Sequence, residues 1–487
     1  MNEFCNPDLF PMMYPTLFPY GLGGFENTND SELTVDGPQQ PQHKTPLSLK
    51  QHVKHLFSLS DKQFQEHYSF LFTTFNILQQ HEILLRSSLK VKKSSFDETT
   101  TRLASVSFEA MHSVMERVSR GDYAMAHNDK ECKVLQLMKE VKVITSSVLG
   151  SSALRLAMRN EIRGMMTELG MPSFYIMINP ADVYNLLVKF LAGDEIDIYN
   201  LLPKQVPKYW DQSILVACNP ALAAQFFNIY MKAFVFSILG YDPKHQNLDG
   251  GTLGHVKGYY GCVEAQGCGT LHCHMMVWVE GGLIPNEIRD RVIKENDTEF
   301  AACLIQFLDD TISNKIPDNP GPDVEVTLTN HHLRCIPGVN FNTTPTELLD
   351  KVRQKDLHHL AKQSQSHAYP KTCYKYWKGP PEPKECQFDL DEPNVRAEST
   401  FNSETGDLCL RCLDGLVNNF NEMILEAVRC NMDIKFIGSG TSAKAILYYI
   451  TDYNTKSQLK TQVAFAALEL AIRHLGEYDP HDDNQTI

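Results

Sequence analysis

The residues most able to do chemistry are His272 and His274, in the run Leu271-His-Cys-His-Met-Met-Val-Trp-Val279, whose composition predicts a strand. Alternation along a strand puts the two histidines on one face and Cys273 on the other. Two imidazoles two residue rises apart on one strand face can share a metal ion. An isolated pair of this kind is more often polar decoration of a solvated face. Here the apolar residues 275–279 that follow predict a deeply placed strand, in which two unpartnered histidines would be costly. The preceding run Gly258-Tyr-Tyr-Gly-Cys-Val-Glu-Ala-Gln266 predicts the first strand of a hairpin, closed by Gly267-Cys-Gly-Thr270. It offers Glu264 and Gln266 on one face. A register that pairs Gln266 with His272 and Glu264 with His274 would project all four side chains together, whereas a one-residue slip would separate them.

A second constellation is Tyr448-Tyr449-Ile-Thr-Asp-Tyr453-Asn-Thr-Lys456. Tyr449 and Tyr453 are spaced i, i+4 and leave one helical face, with Lys456 three residues further on the same side. Tyr448 points elsewhere and is expected to pack. A tyrosine is a competent covalent nucleophile when its target is polarised, and a phosphodiester held on a divalent metal is such a target. Taken alone, the pattern is also that of an amphipathic helix burying two tyrosines.

Several elements must position these groups. The chain has 487 residues, with Lys+Arg 45 against Asp+Glu 59 and a formal charge of -14. Its 43% hydrophobic content is that of a globular protein of several packed units, and the acidic balance argues against coating duplex DNA by bulk charge. The 13 cysteines are scattered and odd in number, and Met1-Asn-Glu-Phe-Cys5 opens no apolar leader. Reduced thiols with one metal site are expected. The most apolar stretch, from Phe226 to Gly240, is interrupted by Asn228 and Lys232 and reads as too short to span a bilayer, so no membrane partner is expected.

Residues 1–45 predict an irregular segment, packing by its rings around 14–25 and ending in a Pro- and Gln-rich linker. Residues 46–170 predict an N-terminal unit of amphipathic helices, with a basic cluster at Lys90, Lys92 and Lys93. The first part of the core spans 171–300, beginning with a strand at 174–178 that is stopped by Asn179-Pro180. Residues 301–410 are poorly periodic and predict a loop-rich insertion holding His331, His332, Cys335, His358, His359, His367, Cys373 and Cys386. Residues 411–487 predict the C-terminal helical part that carries the tyrosines.

The combination of these motifs resembles a known family. The run YYGCVEAQGCGTLHCHMMVWVEGG at 259–282 resembles the HUH motif of the replication-initiator region of Helitron rolling-circle transposases, the Helitron helicase-like domain. YYITDYNTK resembles that family's paired-tyrosine motif, and Tyr175-Ile-Met-Ile-Asn-Pro-Ala-Asp182 resembles the strand that opens the same domain. The resemblance implies an α+β HUH endonuclease: an antiparallel sheet with the histidines on a central strand, the 174–178 strand beside it and the tyrosine helix across the metal face. It implies His272 and His274 as metal ligands with Glu264 third and Gln266 the competing candidate. Mg2+ or Mn2+ would be the ion. Tyr449 and Tyr453 would be the nucleophiles, and Lys456 would balance charge at the phosphate. The reaction implied is nicking and strand transfer of single-stranded DNA through a 5'-phosphotyrosine, in the nucleus.

The departures from the family pattern are informative. Met177 stands where a hydroxyl residue is usual, and Cys268 where a basic one is common. His367, Cys373 and Cys386 match the family's zinc element, but Tyr369 replaces a second histidine; Cys335 or His359 would have to complete a structural Zn2+ site. Cys409 and Cys412 have CxxC spacing at positions the family does not use. No Gly-Lys-Ser/Thr phosphate loop occurs, so a helicase would come from another chain. A decayed or truncated element copy, or a stand-alone nuclease half, is therefore the expectation, and the alternative function is a catalytically silent remnant that binds single-stranded DNA.

Overall fold

The computed structural model describes residues 6, 8–25, 48–90, 107–119, 125–145, 152–180, 182–197, 208–242, 244, 250–265, 270–322, 345–369, 373, 386, 390–438, 444–446 and 448–450. Two compact units are present, one within residues 1–162 and one spanning 163–450 together with 65–68.

In the first unit the aromatic N-terminal segment forms a short helix, Leu9–Met13, and turns that bury Phe10, Tyr14, Leu17 and Phe18. Their rings close on Phe70, with Tyr14 edge-on at 5.0 Å and Phe10 at 5.7 Å, while the Tyr14 hydroxyl donates to Thr73 Oγ1. Helix Leu49–Leu56 starts with a Ser48/Gln51 capping box, which satisfies two otherwise orphaned donors. Helices Phe108–Ser119 and Asp129–Thr145 are joined by a part-buried ion pair, Arg117 to Glu131 at 2.6 Å.

The second unit is built on a four-stranded antiparallel sheet, its strands ordered 256–265, 271–279, 174–179 and 431–436. Its strands are β1 (Phe174–Asn179), β2 (Val256–Ala265), β3 (Leu271–Val279) and β6 (Asn431–Phe436); β4 (Thr400–Phe401) and β5 (Leu408–Cys409) form a separate small hairpin. The architecture is therefore mixed helix and antiparallel sheet, with β3 and β1 as the inner strands. Alternation divides the sheet in two. Phe174, Ile176, Ile178, Cys273, Met275, Val277, Met432 and Ile434 face the main core. That core is completed by Phe227 and Phe234, by Leu308 of helix Thr298–Thr311, by Leu357 and Leu360 of helix Leu349–Ser364, and by Ile424 and Leu425 of helix Glu422–Val428. The opposite positions carry Tyr175, Met177, His272, His274, Met276 and Trp278. This second face is covered at the Trp278 end, where the indole Nε1 donates to the Gly170 carbonyl at 2.8 Å.

Two elements differ from the sequence reading. The apolar stretch from Phe226, read as too short to span a bilayer, lies in a helical run that begins earlier, at Pro220, where Asn219 supplies the cap. Continuous helical structure from Pro220 to Ile238 is long and apolar enough, by length and composition, to cross a membrane. Here its Phe226, Phe227, Phe234 and Val235 are buried in the cores of the second unit. The region 301–410 is not uniformly loop-rich: Leu349–Ser364 is a helix that holds His358 and His359. Its buried stripe, Val352, Asp356, Leu357, Leu360, Ala361 and Ser364, has helical spacing but includes a carboxylate.

Asp356 accepts two parallel bonds from Arg429, both at 2.8 Å and both buried. Arg429 ends helix Glu422–Val428 in the left-handed region at φ 51°, with only Cys430 between it and β6. Removing one partner of such a pair strands a buried charge. Asp356→Ala is therefore expected to lower unfolding stability by about 3–5 kcal/mol, as measured by urea denaturation.

Candidate metal centre and tyrosine helix

The hairpin register places Glu264 opposite His272 and Cys262 opposite His274. This corrects the expected pairing of Gln266 with His272 and Glu264 with His274, since the partners are shifted by two residues. A two-residue shift leaves every side chain on its original face, so Glu264 still meets both histidines. Gln266, Cys268, Tyr453, Lys456, Lys92 and Lys93 lie outside the described residues, as do His331, His332 and Cys335.

Glu264 Oε2 lies 3.3 Å from His272 Nε2 and 3.6 Å from His274 Nε2. The three ligand atoms all fall within 4.8 Å of one another. Ligands held about 2.0–2.2 Å from a common ion are separated by roughly 3–3.6 Å, so the donor set fits a single divalent cation with little rearrangement. Burial pushes His274 down to about 4, with the neighbouring His272 adding to the shift. Burial also lowers His272, against the opposing pull of Glu264. Both rings are therefore neutral at pH 7, the state in which imidazole donates a lone pair.

Tyr175 is the residue that sequence reasoning did not assign. Its hydroxyl is 2.7 Å from His274 Nδ1. With the Nδ1 proton donated to the tyrosine oxygen, Nε2 is left as the lone-pair atom that faces Glu264. On β1, Tyr175 is opposite Met276 and Met177 is opposite His274. The signal was present in the parity of 175 and 177, but β1 is apolar at nearly every position and nothing local says which strand it joins. Met177 places a thioether beside His274 on this face.

Residues 444–446 and 448–450 are helical. Ile450 is fully buried, and the Tyr449 ring stands edge-on to His274 with centroids 5.4 Å apart and to Tyr175 at 6.3 Å. Tyr449 is 40% exposed, so it touches the histidine and remains open to a ligand; Tyr448 is 74% exposed.

A second group forms around His367, whose Nε2 lies 3.0 Å from Cys373 Sγ and 3.4 Å from Cys386 Sγ. Burial raises the Cys373 thiol to about 11, with Cys386 adding to the rise, and lowers His367. Zinc binding would displace those thiol protons. Tyr369 stacks edge-on against His367 at 5.1 Å and donates toward Asp391, so it packs the group. Among the described residues His359 does not join it; its ring lies against His358. Cys409 and Cys412 are free thiols outside it.

The chain is thus an α+β protein with two Glu/His/Cys constellations in one unit, the first on an antiparallel sheet. Residues 52–277 match the family described as Helitron helicase-like domain at N-terminus, a span that includes β1, β2 and most of β3. The match supports a Helitron-related family and with it a transposon-associated role. Comparison with curated proteins gives no match.

Isothermal titration with Mn2+ is expected to show one site that is lost in His272→Ala. Tyr175→Phe should weaken it roughly 10–100-fold, the usual effect of removing a partner that orients a metal-binding histidine. The metal-free protein has a defined pH response. Between pH 6.5 and about 4 the unfolded chain binds a proton at His274 that the folded chain does not. This contribution to stability is full above pH 6.5 and is lost progressively down to pH 4. The thermal midpoint should fall across that window, and it should fall less steeply in His274→Gln.

Proposed function

We propose that this protein nicks single-stranded DNA and transfers the cut strand through a 5'-phosphotyrosine. The observation that carries the reading is the convergence of Glu264, His272 and His274 on one point with Tyr449 against His274. Glu264, His272 and His274 would hold a Mg2+ or Mn2+ ion. When bound, the ion withdraws charge from a phosphodiester and opens its phosphorus to attack. Tyr449 Oη loses its proton to water and bonds to phosphorus, the P–O3' bond breaks, and the leaving 3' oxygen takes a proton. The 5' end remains on the protein, and attack by a new 3'-hydroxyl reverses the step and rejoins a strand. Tyr175 keeps His274 in its ligating tautomer. Tyr453 would be a second nucleophile and Lys456 a phosphate contact, as the family resemblance implies. His367, Cys373 and Cys386 would hold a structural zinc ion. A nuclear location and a helicase supplied by another chain belong to the same proposal.

The test is incubation of labelled single-stranded oligonucleotides with Mn2+, followed by denaturing electrophoresis. A covalent protein–DNA band is expected from wild type. It should disappear in His272→Ala, fall by 100-fold or more in Tyr449→Phe if that tyrosine attacks first, and shift to Tyr453 dependence if it does not. DNA binding with no covalent band from any variant would overturn the nicking reading in favour of the silent DNA-binding remnant.

A further inference from the structure

Beside the edge strand β6 lies a cavity of about 190 Å³, whose two β6 lining residues, Asp433 and Lys435, are on the sheet face of the histidines and two strands away from them. Register fixes this relation: His274 is opposite Met177, and Met177 is opposite Asp433 on β6. Lys435 follows Asp433 on that face, opposite Tyr175. At about 4.8 Å per strand, Asp433 is roughly 10 Å along the row from His274. That is roughly three rises of a stacked strand at about 3.4 Å, and fewer for an extended one.

The cavity is lined by Arg396, Arg411 and Lys435, by the amides of Asn314, Asn394, Asn418 and Asn419, and by Asp433. Three cations line it, Arg411 also paired with the Asp309 carboxylate at 3.5 Å and Lys435 with Asp433 at 3.4 Å, in a chain whose formal charge is -14. Burial raises the Asp433 pKa, against the pull of Lys435, whose Nζ lies 3.4 Å away.

The walls are held in place by the protein. Arg396 and Cys412 exchange both backbone hydrogen bonds, at 2.7 and 2.8 Å. The Arg396 guanidinium is aimed by the Leu410 carbonyl and Asn394 Oδ1, and that of Arg411 by the Asp309 carbonyl. Asn314 is tied to the backbone of Arg411 and Leu413. Gly415 lets the two loops touch, because a Cβ there would overlap the Asp391 carbonyl.

A site with several aimed cations and several amides suits a phosphate with an attached hydrogen-bonding group. Its volume is below the ~300–1,000 Å³ of ordinary small-molecule pockets, too small for a whole dinucleotide cofactor. We infer that this cavity binds one nucleotide of the single strand, a backbone phosphate on Arg396 and Lys435 with its sugar or base against the asparagine amides, and so holds the strand in register a short distance from the cut. The inference rests on the single-stranded DNA reading above.

The test is the salt dependence of binding of a fluorescent single-stranded 12-mer, without metal so that cleavage does not intervene. Removing one cation that pairs with a phosphate should reduce the slope of log K against log salt by about 0.7. Arg396→Ala and Lys435→Ala are each expected to show that reduction with roughly tenfold weaker binding at low salt. Arg396→Lys and Lys435→Arg should keep the slope. Lys294→Ala, which removes an exposed cation outside the cavity paired with Asp290, should also keep it. Thermal melting of each variant separates a local effect on binding from unfolding, and a variant that melts early is replaced by its Gln counterpart. Wild-type binding with unchanged slopes in the cavity variants overturns this inference and leaves the DNA reading standing. No binding by wild type overturns both.

Discussion

Burying two imidazoles on an inner strand is the constraint from which the rest of the second unit follows. β3 has neighbours on both edges and is buried along most of its length, so His272 and His274 are largely withdrawn from bulk water. Burial holds both rings neutral, and neutral rings need a donor or acceptor at each nitrogen or a cation to ligate. Glu264 supplies a polar partner for His272 Nε2 and Tyr175 one for His274 Nδ1, from the two flanking strands. Each arrives there through strand register, so the antiparallel pairing of β2, β3 and β1 is a condition of the site as well as of the fold.

The opposite face explains why this register is stable. Alternate residues of β1, β3 and β6 are apolar and enter one core shared with the flanking helices. A one-residue slip would turn those side chains out and the histidines in, which ties the geometry of the polar face to the hydrophobic burial of the other. The Asp356–Arg429 pair joins helix Leu349–Ser364 to the turn that launches β6. Through it, the edge strand bearing Asp433 and Lys435 is fixed relative to the helical layer.

Charge is organised locally on this framework. The excess of acidic residues gives no broad field to attract a polyanion, yet three cations and four amides converge beside β6. On the proposed reading, a chain of this balance would recognise a strand through a few aimed side chains, with the Glu264/His272/His274 group and the Asp433 and Lys435 side of the cavity at neighbouring positions on one sheet face.

Strand parity, hairpin closure and the likeness to a Helitron helicase-like domain were legible in local sequence, because His-x-His and Glu264 share a face under any even shift. The exact register was not, since a Gly-rich turn tolerates more than one length. The helix at 349–364 was hidden because Asp356 and Ser364 interrupt its apolar stripe, and only Arg429, distant in sequence, makes a buried aspartate acceptable there. The approach of Tyr175 to His274 and of Tyr449 to both is a product of strand order and chain crossing. By itself the sequence determined which residues could ligate and which faces they share, through periodicities of two and 3.6 set by backbone geometry. Tertiary structure alone decided which faces meet and which charges converge, because those depend on pairing between segments that no local spacing specifies.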